Sequence, residues 1–216
     1  MARKSRIIIV GSGIVGASTA YHLAQLGWKD MVILDQGPLF ETGGSTSHAP
    51  GGVFQTNPSR MMCKFAQYTV DLLRSLSFEG KPCFHTVGGI EVSKTKERHQ
   101  DLYRKLGIAH SYGLTDAKII TPDEVLKMSP YIDPEKIHGG YYVPTDGLAA
   151  PVRAVRAMAK YVTDLKAGEF FGDTAVNGFK IQNNQIRGVQ TSKGDYEADI
   201  VLVSTCLLYT SPSPRD

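Results

Sequence analysis

The opening part of the chain combines two unbroken apolar runs with one helical stripe. Residues 7–10 and 31–34 are continuously apolar, which predicts strands buried on both faces of a sheet. Residues 14–26 lie between them with the spacing of an amphipathic helix, and Gly27 is a plausible stop. The buried stripe of this helix is predicted to be Val15, Ala17, Ala20, Leu23 and Ala24. The order strand, helix, strand predicts a βαβ unit.

Four further helices are predicted from capping signals and apolar periodicity. Asn57 and Pro58 are typical of a cap followed by a first-turn proline. The helix after them is expected to bury Met62, Phe65, Ala66, Leu72, Leu73 and Leu76. Residues 94–106 predict a charged surface helix, and a capping box at residues 121–124 opens a short one. Residues 151–165 predict the last helix.

Short strands are predicted in the rest of the chain, with a bend at Gly88 and Gly89 and a turn at Asn183 and Asn184. The expected segments are residues 84–92, 141–147, 175–181, 185–190 and 198–204. The chain therefore opens with a βαβ unit, passes through an insertion, and returns with a small antiparallel element and one more apolar strand.

The glycines after the first apolar run form a phosphate-binding pattern. Gly11 allows a tight turn, Gly13 lets a ligand's phosphates approach the backbone, and Gly16 lets the helix pack close to the sheet. The helix N-terminus adds free N–H groups and the positive end of its dipole. Asp35 ends the second run, where an acid can accept hydrogen bonds from a ribose. The pattern predicts a dinucleotide site, and the acid favours NAD or FAD over NADP.

Composition excludes several other classes of function. The chain has 216 residues and a formal net charge of +3, too mild a charge to indicate nucleic acid or an anionic membrane as partner. No apolar stretch approaches the roughly 20 residues of a membrane span. The three cysteines have no paired spacing, which predicts a reducing, cytoplasmic setting and no metal site.

The loop after Asp35 helps to distinguish an NAD site from an FAD site. A nicotinamide-dependent dehydrogenase normally passes from its second strand straight into another helix. Here residues 43–52 form a long loop of small residues, which suits an extended flavin cofactor better. An NAD-dependent dehydrogenase remains the alternative.

With the glycine pattern, the segment from Gly44 to Gly51 resembles the flavin enzymes of the glycine oxidase and D-amino-acid oxidase superfamily, and most of all the dimethylglycine and sarcosine oxidisers. The similarity continues through residues 53–58, 87–92, 139–147 and 198–201. It implies oxidation of an N-methylated glycine by hydride transfer to FAD, giving an iminium that water hydrolyses or tetrahydrofolate traps. Oxygen or an electron-transfer protein would then accept the electrons.

The resemblance also implies the site residues. In that superfamily group the histidine of this loop is joined covalently to FAD, and the correspondence falls on His48. A polar loop residue that only contacts cofactor or solvent is the alternative. The expected cofactor-binding set is Gly11, Ser12, Gly13, Ile14, Val15, Gly16, Asp35, Gln36, Gly44, Ser45, Thr46, Ser47, His48 and Val176. No catalytic residue is assigned.

The expected fold is α/β, a Rossmann-like FAD-binding domain interrupted by an α+β substrate domain and truncated at the C-terminus. Residues 5–93 would form the FAD-binding unit, 94–148 the start of the insertion, and 149–205 the return. Residues 206–216 resemble translated sequencing-adapter sequence, so the natural protein is expected to continue beyond Thr205. A natural Ser/Pro-rich disordered terminus is the alternative. The chain alone would then be an inactive fragment.

Overall fold

A computed structural model describes residues 3–41 and 44–205. The strands in chain order are β1 (Arg3–Val10), β2 (Met31–Leu34), β3 (Gly52–Val53), β4 (Ser77–Phe78), β5 (Lys81–Pro82), β6 (Phe84–Thr86), β7 (Gly89–Ser93), β8 (Lys118–Ile120), β9 (Gly139–Val143), β10 (Gly147–Ala149), β11 (Gly168–Phe171), β12 (Val176–Gln182), β13 (Gln185–Thr191) and β14 (Gly194–Val203). The helices are α1 (Ile14–Gln25), α2 (Ser45–His48), α3 (Arg60–Ser75), α4 (Lys96–Ser111), α5 (Pro122–Met128) and α6 (Pro151–Asp164), with a 3₁₀ turn at Pro134–Lys136.

The chain divides into two compact units. The first contains residues 3–41, 44–49, 77–81 and 150–205 of the described chain, and the second contains residues 50–76 and 82–149. The sequence pattern instead predicts the first boundary near residue 93. The difference has a physical reason, because β10 pairs with both β3 and β6 and so joins residues before that boundary to residues near 149.

The first unit is built on a six-stranded sheet in the order β11-β2-β1-β14-β13-β12. Strands β11, β2, β1 and β14 run parallel, while β12 and β13 are antiparallel additions beyond β14. The turn at Asn183 and Asn184 has positive φ at both residues, 49° and 58°, as a two-residue hairpin requires. This architecture confirms the expected α/β class with a parallel sheet.

Residues 7–10 of β1 and all of β2 are buried, as their unbroken apolar runs predict, whereas Ile200 and Val203 of β14 are exposed. One face carries α1 packed beside α6, with the rings of Tyr21 and Tyr161 4.7 Å apart. On the other face, Val189 of β13 joins a cluster with Ile8, Val10, Val32, Leu34 and Ala198. The prediction for α1 is wrong at Val15, which is 61% exposed in the first turn, whereas Ala17, Ala20 and Ala24 are buried.

The second unit contains a three-stranded antiparallel sheet, β7-β9-β8, and a smaller one, β3-β10-β6. Helix α4 packs on the larger sheet, where Leu102 and Ala109 share a core cluster with Tyr141 and Val143. The capping box that opens α5 is confirmed, because Thr121 and Glu124 exchange both expected hydrogen bonds.

Helix α3 corrects two expectations. Its N-cap is Ser59, while the Asn57 side chain accepts a hydrogen bond from the Ser59 N–H, 3.0 Å away, in the turn before the helix. The residues that it buries are Cys63, Val70 and Leu73, so of the predicted set only Leu73 is buried. Met62 and Phe65 are 51% and 57% exposed. Apolar periodicity indicated an amphipathic helix but misplaced its inner face.

In the described part of the chain, no helix combines the length and apolar character needed to span a membrane. The predictions for Gly43 and for residues 206–216 lie outside the described residues.

Candidate functional site

The glycine turn brings the start of α1 against the end of β1. Gly11 has φ of +102°, and a side chain there would meet the Ser204 carbonyl oxygen at 2.8 Å. A Cβ on Gly16 would lie 1.9 Å from the Gly11 carbonyl oxygen, which confirms the close packing predicted for this residue. Ser204 itself donates from Oγ to the carbonyls of Val10 and Gly11, at 2.9 and 3.0 Å.

The N-terminus of α1 lies beside the loop that carries the histidine. Gly13 is its N-cap and supplies no side-chain hydrogen bond. Instead the Ile14 N–H donates to Thr46 Oγ1 at 3.0 Å, across a gap of 32 residues. A Cβ on Gly13 would lie 3.2 Å from the same oxygen. The sequence does not distinguish Ser45, Thr46 and Ser47, and the structure places the Thr46 hydroxyl at the helix end.

Asp35 lies at the carboxyl end of β2, next to the glycine turn. Its Oδ2 accepts two hydrogen bonds from Ser12, from the backbone N–H and from Oγ, both at 2.8 Å. Its Oδ1 accepts a longer bond from the Gly37 N–H at 3.3 Å. Ser12 is buried and Asp35 is partly exposed, so the carboxylate is held in place with room to accept further donors.

The segment before Val176 is joined to the main chain of Asp35. The Asp35 carbonyl accepts a hydrogen bond from the Thr174 N–H at 2.7 Å. Thr174 is buried, and Val176 begins β12 two residues later, packing on the cluster that includes Val10 and Leu34. Gln36, the other predicted neighbour of Asp35, is exposed.

His48 is the last residue of the short helix α2. Its ring Nδ1 lies 3.1 Å from the Gly44 carbonyl oxygen and 3.3 Å from Ser47 Oγ. Ser47 Oγ also donates to the Gly44 carbonyl at 2.9 Å. These contacts hold the imidazole by one edge, and the side chain is exposed. The expected long loop of residues 43–52 thus contains a helical turn that carries Thr46 and His48.

A family profile described as FAD dependent oxidoreductase (DAO) matches residues 6–207. The chain belongs to this FAD-dependent oxidoreductase family. The match confirms the superfamily resemblance, and it answers the choice of cofactor class in favour of a flavin.

Three similar proteins illustrate the range of the family. Mouse pyruvate dehydrogenase phosphatase regulatory subunit is 30% identical over 90% of this chain and 22% of its own length. Human dimethylglycine dehydrogenase is 33% identical over 76% of this chain and 20% of its own. The crystal structure of L-proline dehydrogenase from P. horikoshii aligns with a TM-score of 0.84 and 27% identity, over 95% of this chain and 54% of that one. The chain thus spans about a fifth of the length of these two curated relatives.

The geometry of the first unit fits FAD. The first-turn N–H groups of α1 have no partners within the helix, as suits a pyrophosphate. Glycine at residues 11, 13 and 16 keeps that end of the helix free of side chains. The fixed Asp35 carboxylate offers acceptors for ribose hydroxyls. Two residues that support this candidate cofactor site, Ser204 and Thr174, were not predicted from the sequence. Ser204 directly follows β14, and only the pairing of β14 with β1 brings it to Gly11.

The second unit buries one carboxylate, that of Asp146. Its Oδ1 accepts from the backbone N–H and the side-chain Nε2 of Gln55, both at 3.0 Å. Burial raises the pKa of Asp146, although the Gln55 hydrogen bonds oppose this. The Asp146 carbonyl accepts from the Gly88 N–H at 2.9 Å, and the Asp146 N–H donates to the Val143 carbonyl at 3.3 Å in the turn between β9 and β10.

Proposed function

We propose that this chain is the cofactor-binding part of a flavin-dependent amine oxidoreductase that oxidises an N-methylated glycine, of the dimethylglycine or sarcosine type. The observation that carries the proposal is the hydrogen bond between the Ile14 N–H and Thr46 Oγ1. It anchors the helical turn of the histidine at the phosphate-binding end of α1. The similarity to dimethylglycine dehydrogenase supports the substrate class.

In this proposal each part of the site has one role. The first turn of α1, with Thr46, binds the pyrophosphate, and Asp35, positioned by Ser12, accepts from the ribose. Backbone at Val176 borders the adenosine. When bound, FAD supplies the acceptor for a hydride from the carbon beside the amine nitrogen. The family's substrate-binding residues and the tetrahydrofolate region are proposed to lie in a longer parent protein.

His48 is the proposed site of covalent attachment. Its Nδ1 edge faces the Gly44 carbonyl and Ser47 Oγ, which orients the ring and leaves the Nε2 edge available. The short helix therefore presents an oriented, exposed imidazole two residues after the hydroxyl that contacts α1. A histidine serving only as a polar loop residue would not need this orientation.

The test follows flavin through denaturation. The complete gene product and the 216-residue chain are each purified with FAD, denatured in acid and run on a gel, and flavin fluorescence is measured in the band. We expect fluorescence to stay with the wild-type band of the complete product and to disappear with His48→Ala. His85→Ala, an exposed histidine of the second unit, is the matched control and should retain it.

Other outcomes discriminate between the parts of the proposal. A yellow native protein whose flavin is lost on denaturation keeps the flavoenzyme and removes the covalent role of His48. Dimethylglycine and sarcosine are then offered to the loaded protein. If neither bleaches the flavin under anaerobic conditions, the proposed substrate class is wrong.

A further inference from the structure

A small polar cleft in the second unit is lined by side chains that intramolecular hydrogen bonds already hold in place. It has a volume of about 160 Å³ and lies between α3, the turn after α4, and the segment joining β9 to β10. None of the residues expected to bind the cofactor lines it. Side chains fixed before a ligand arrives lose little entropy on binding, so this is a favourable arrangement for recognition.

Arg74 provides the cationic side of the cleft. Its Nε donates to Thr86 Oγ1 at 3.1 Å and its Nη2 to the Thr145 carbonyl at 3.4 Å. The guanidinium also lies over the Phe84 ring, 5.9 Å from its centroid. A guanidinium has five N–H donors in a planar fork, so three remain for a ligand such as a carboxylate.

Two side-chain amides provide the cleft with hydrogen-bond acceptors, because their N–H groups are already bonded within the protein. Gln67 donates from Nε2 to the Tyr112 carbonyl and to Cys63 Sγ, both at 3.2 Å. Gln55 donates from Nε2 to Thr145 Oγ1 at 2.8 Å as well as to Asp146. With their donors occupied, both amides offer the cleft carbonyl oxygens, which are acceptors.

Two carboxylates add to this acceptor surface. Asp71 and Asp116 line the cleft, and within the described residues neither side chain forms a hydrogen bond or an ion pair. Asp71 lies one helical turn before Arg74 on α3 without pairing with it. The cleft thus combines one fixed cation with four acceptor groups, and its charges are not neutralised by each other.

We propose that this cleft binds a small amino acid as its zwitterion, with the carboxylate on Arg74 and the ammonium group facing Asp71 and the amide oxygens. A ligand with an anionic end and a cationic end that carries several N–H donors can bond both to Arg74 and to the acceptor groups. A simple anion would instead be repelled by the two carboxylates. At the roughly 30 Å³ that a water molecule occupies in the liquid, the volume suits about five non-hydrogen atoms, the size of glycine. The proposal does not rest on the flavin chemistry.

The test is equilibrium dialysis of radiolabelled glycine against the purified 216-residue chain, without FAD. We expect one saturable site per chain. Arg74→Gln should weaken binding at least about tenfold, since a charge-assisted pair is lost. Lys64→Gln, which removes an exposed cation of the same helix outside the cleft, should leave it unchanged. Acetate and methylammonium, each carrying one half of the recognition, should compete only weakly.

Asp71→Asn provides a second variant, which removes no side-chain hydrogen bond or ion pair of the described residues and is expected to unfold at the wild-type temperature. It should also weaken glycine binding. Absence of saturable binding, or equal affinity in the wild type and both cleft variants, would overturn the proposal. Methylammonium competing as well as glycine would overturn the role of Arg74. Because flavin is absent throughout, these results are independent of the flavin attachment experiment.

Discussion

Ser12 and Asp35 are joined by two hydrogen bonds to a single carboxylate oxygen, one from the Ser12 backbone and one from its hydroxyl, each 2.8 Å long. The pair connects the glycine turn after β1 to the end of β2. Because Oδ2 is held by both donors, Oδ1 has only the long bond from Gly37 and stays available. Ser12 is therefore a positioning residue for the proposed ribose acceptor.

Asp35→Asn is expected to weaken FAD binding by about tenfold, since a neutral amide accepts ribose hydroxyl bonds less strongly than a carboxylate. The measurement is quenching of FAD fluorescence on titration with protein. Asp199→Asn, at an exposed position of β14, is the control and should bind as the wild type does. Equal affinity of the Asp35 and Asp199 variants would refute the ribose role.

Thr46→Val tests the contact that anchors the histidine turn. Valine keeps the shape of threonine but leaves the Ile14 N–H without its acceptor. We expect a stability loss of about 1 kcal/mol and a lower yield of covalent flavin. Thr46→Ser keeps the hydroxyl and should restore both values. Thermal unfolding and fluorescence of the denatured band measure them; loss of stability with full flavin yield would separate the anchor from the chemistry.

Gly16→Ala and Gly107→Ala should have opposite effects on the free energy of unfolding. A Cβ at Gly16 would lie 1.9 Å from a backbone oxygen, so either α1 or the turn must move, at a cost of about 3 kcal/mol or more. Gly107 lies inside α4 with nothing within 4 Å, and alanine there should stabilise by about 0.5–1 kcal/mol. Denaturant unfolding of both variants compares them. A tolerated Gly16→Ala would contradict the close packing.

The buried Asp146 predicts a pH effect on stability. Because its folded pKa is raised above 3.8, the folded state keeps the proton over a range in which the unfolded state has lost it. The free energy of unfolding should therefore fall as the pH rises through that window and then level off. Asp146→Asn keeps an oxygen for the Gln55 bonds and should remove this slope.

The measurement for Asp146 is urea unfolding at a series of pH values, from below 3.8 to neutral. Asp116→Asn, an exposed carboxyl of the same unit, is the comparison and should leave the slope in place. A slope that survives in Asp146→Asn would assign it to another group.

Residues 198–203 of β14 have an unpaired edge, and we expect the chain to self-associate through it. Residues 198–203 pair with β1 on one side, whereas β13 covers only residues 194–197. Unpaired strand edges with apolar side chains favour aggregation, and Ile200 is 42% exposed. Ile200→Lys should raise the soluble fraction of the expressed chain, measured after centrifugation. Leu165→Lys alters a residue of similar exposure at the end of α6, outside any strand, and should change it less.

The local elements were predictable because their signals act over a few residues. The glycine turn, the helix between β1 and β2, the capping box at Thr121 and the turn at Asn183 all follow from backbone conformation and neighbouring hydrogen bonds. Motif order and family resemblance likewise predicted the fold class and the flavin family. The local elements depend on residues that are close along the chain, and the family resemblance depends on short segments that can each be compared without a structure.

The other contacts of the site, and the burial of particular side chains, depend on pairing between residues far apart in the chain. The contact of Ser204 with Gly11 depends on the alignment of β14 with β1, and that of Gln55 with Asp146 spans 91 residues. The inner face of α3 is set by the elements that cover it, so Cys63 is buried while Phe65 is not. The sequence by itself determined the βαβ unit and its glycine pattern, since these need only neighbouring residues. Only the tertiary structure decided which hydroxyl reaches the helix end and which carboxyl is buried, because burial depends on partners far away in the chain.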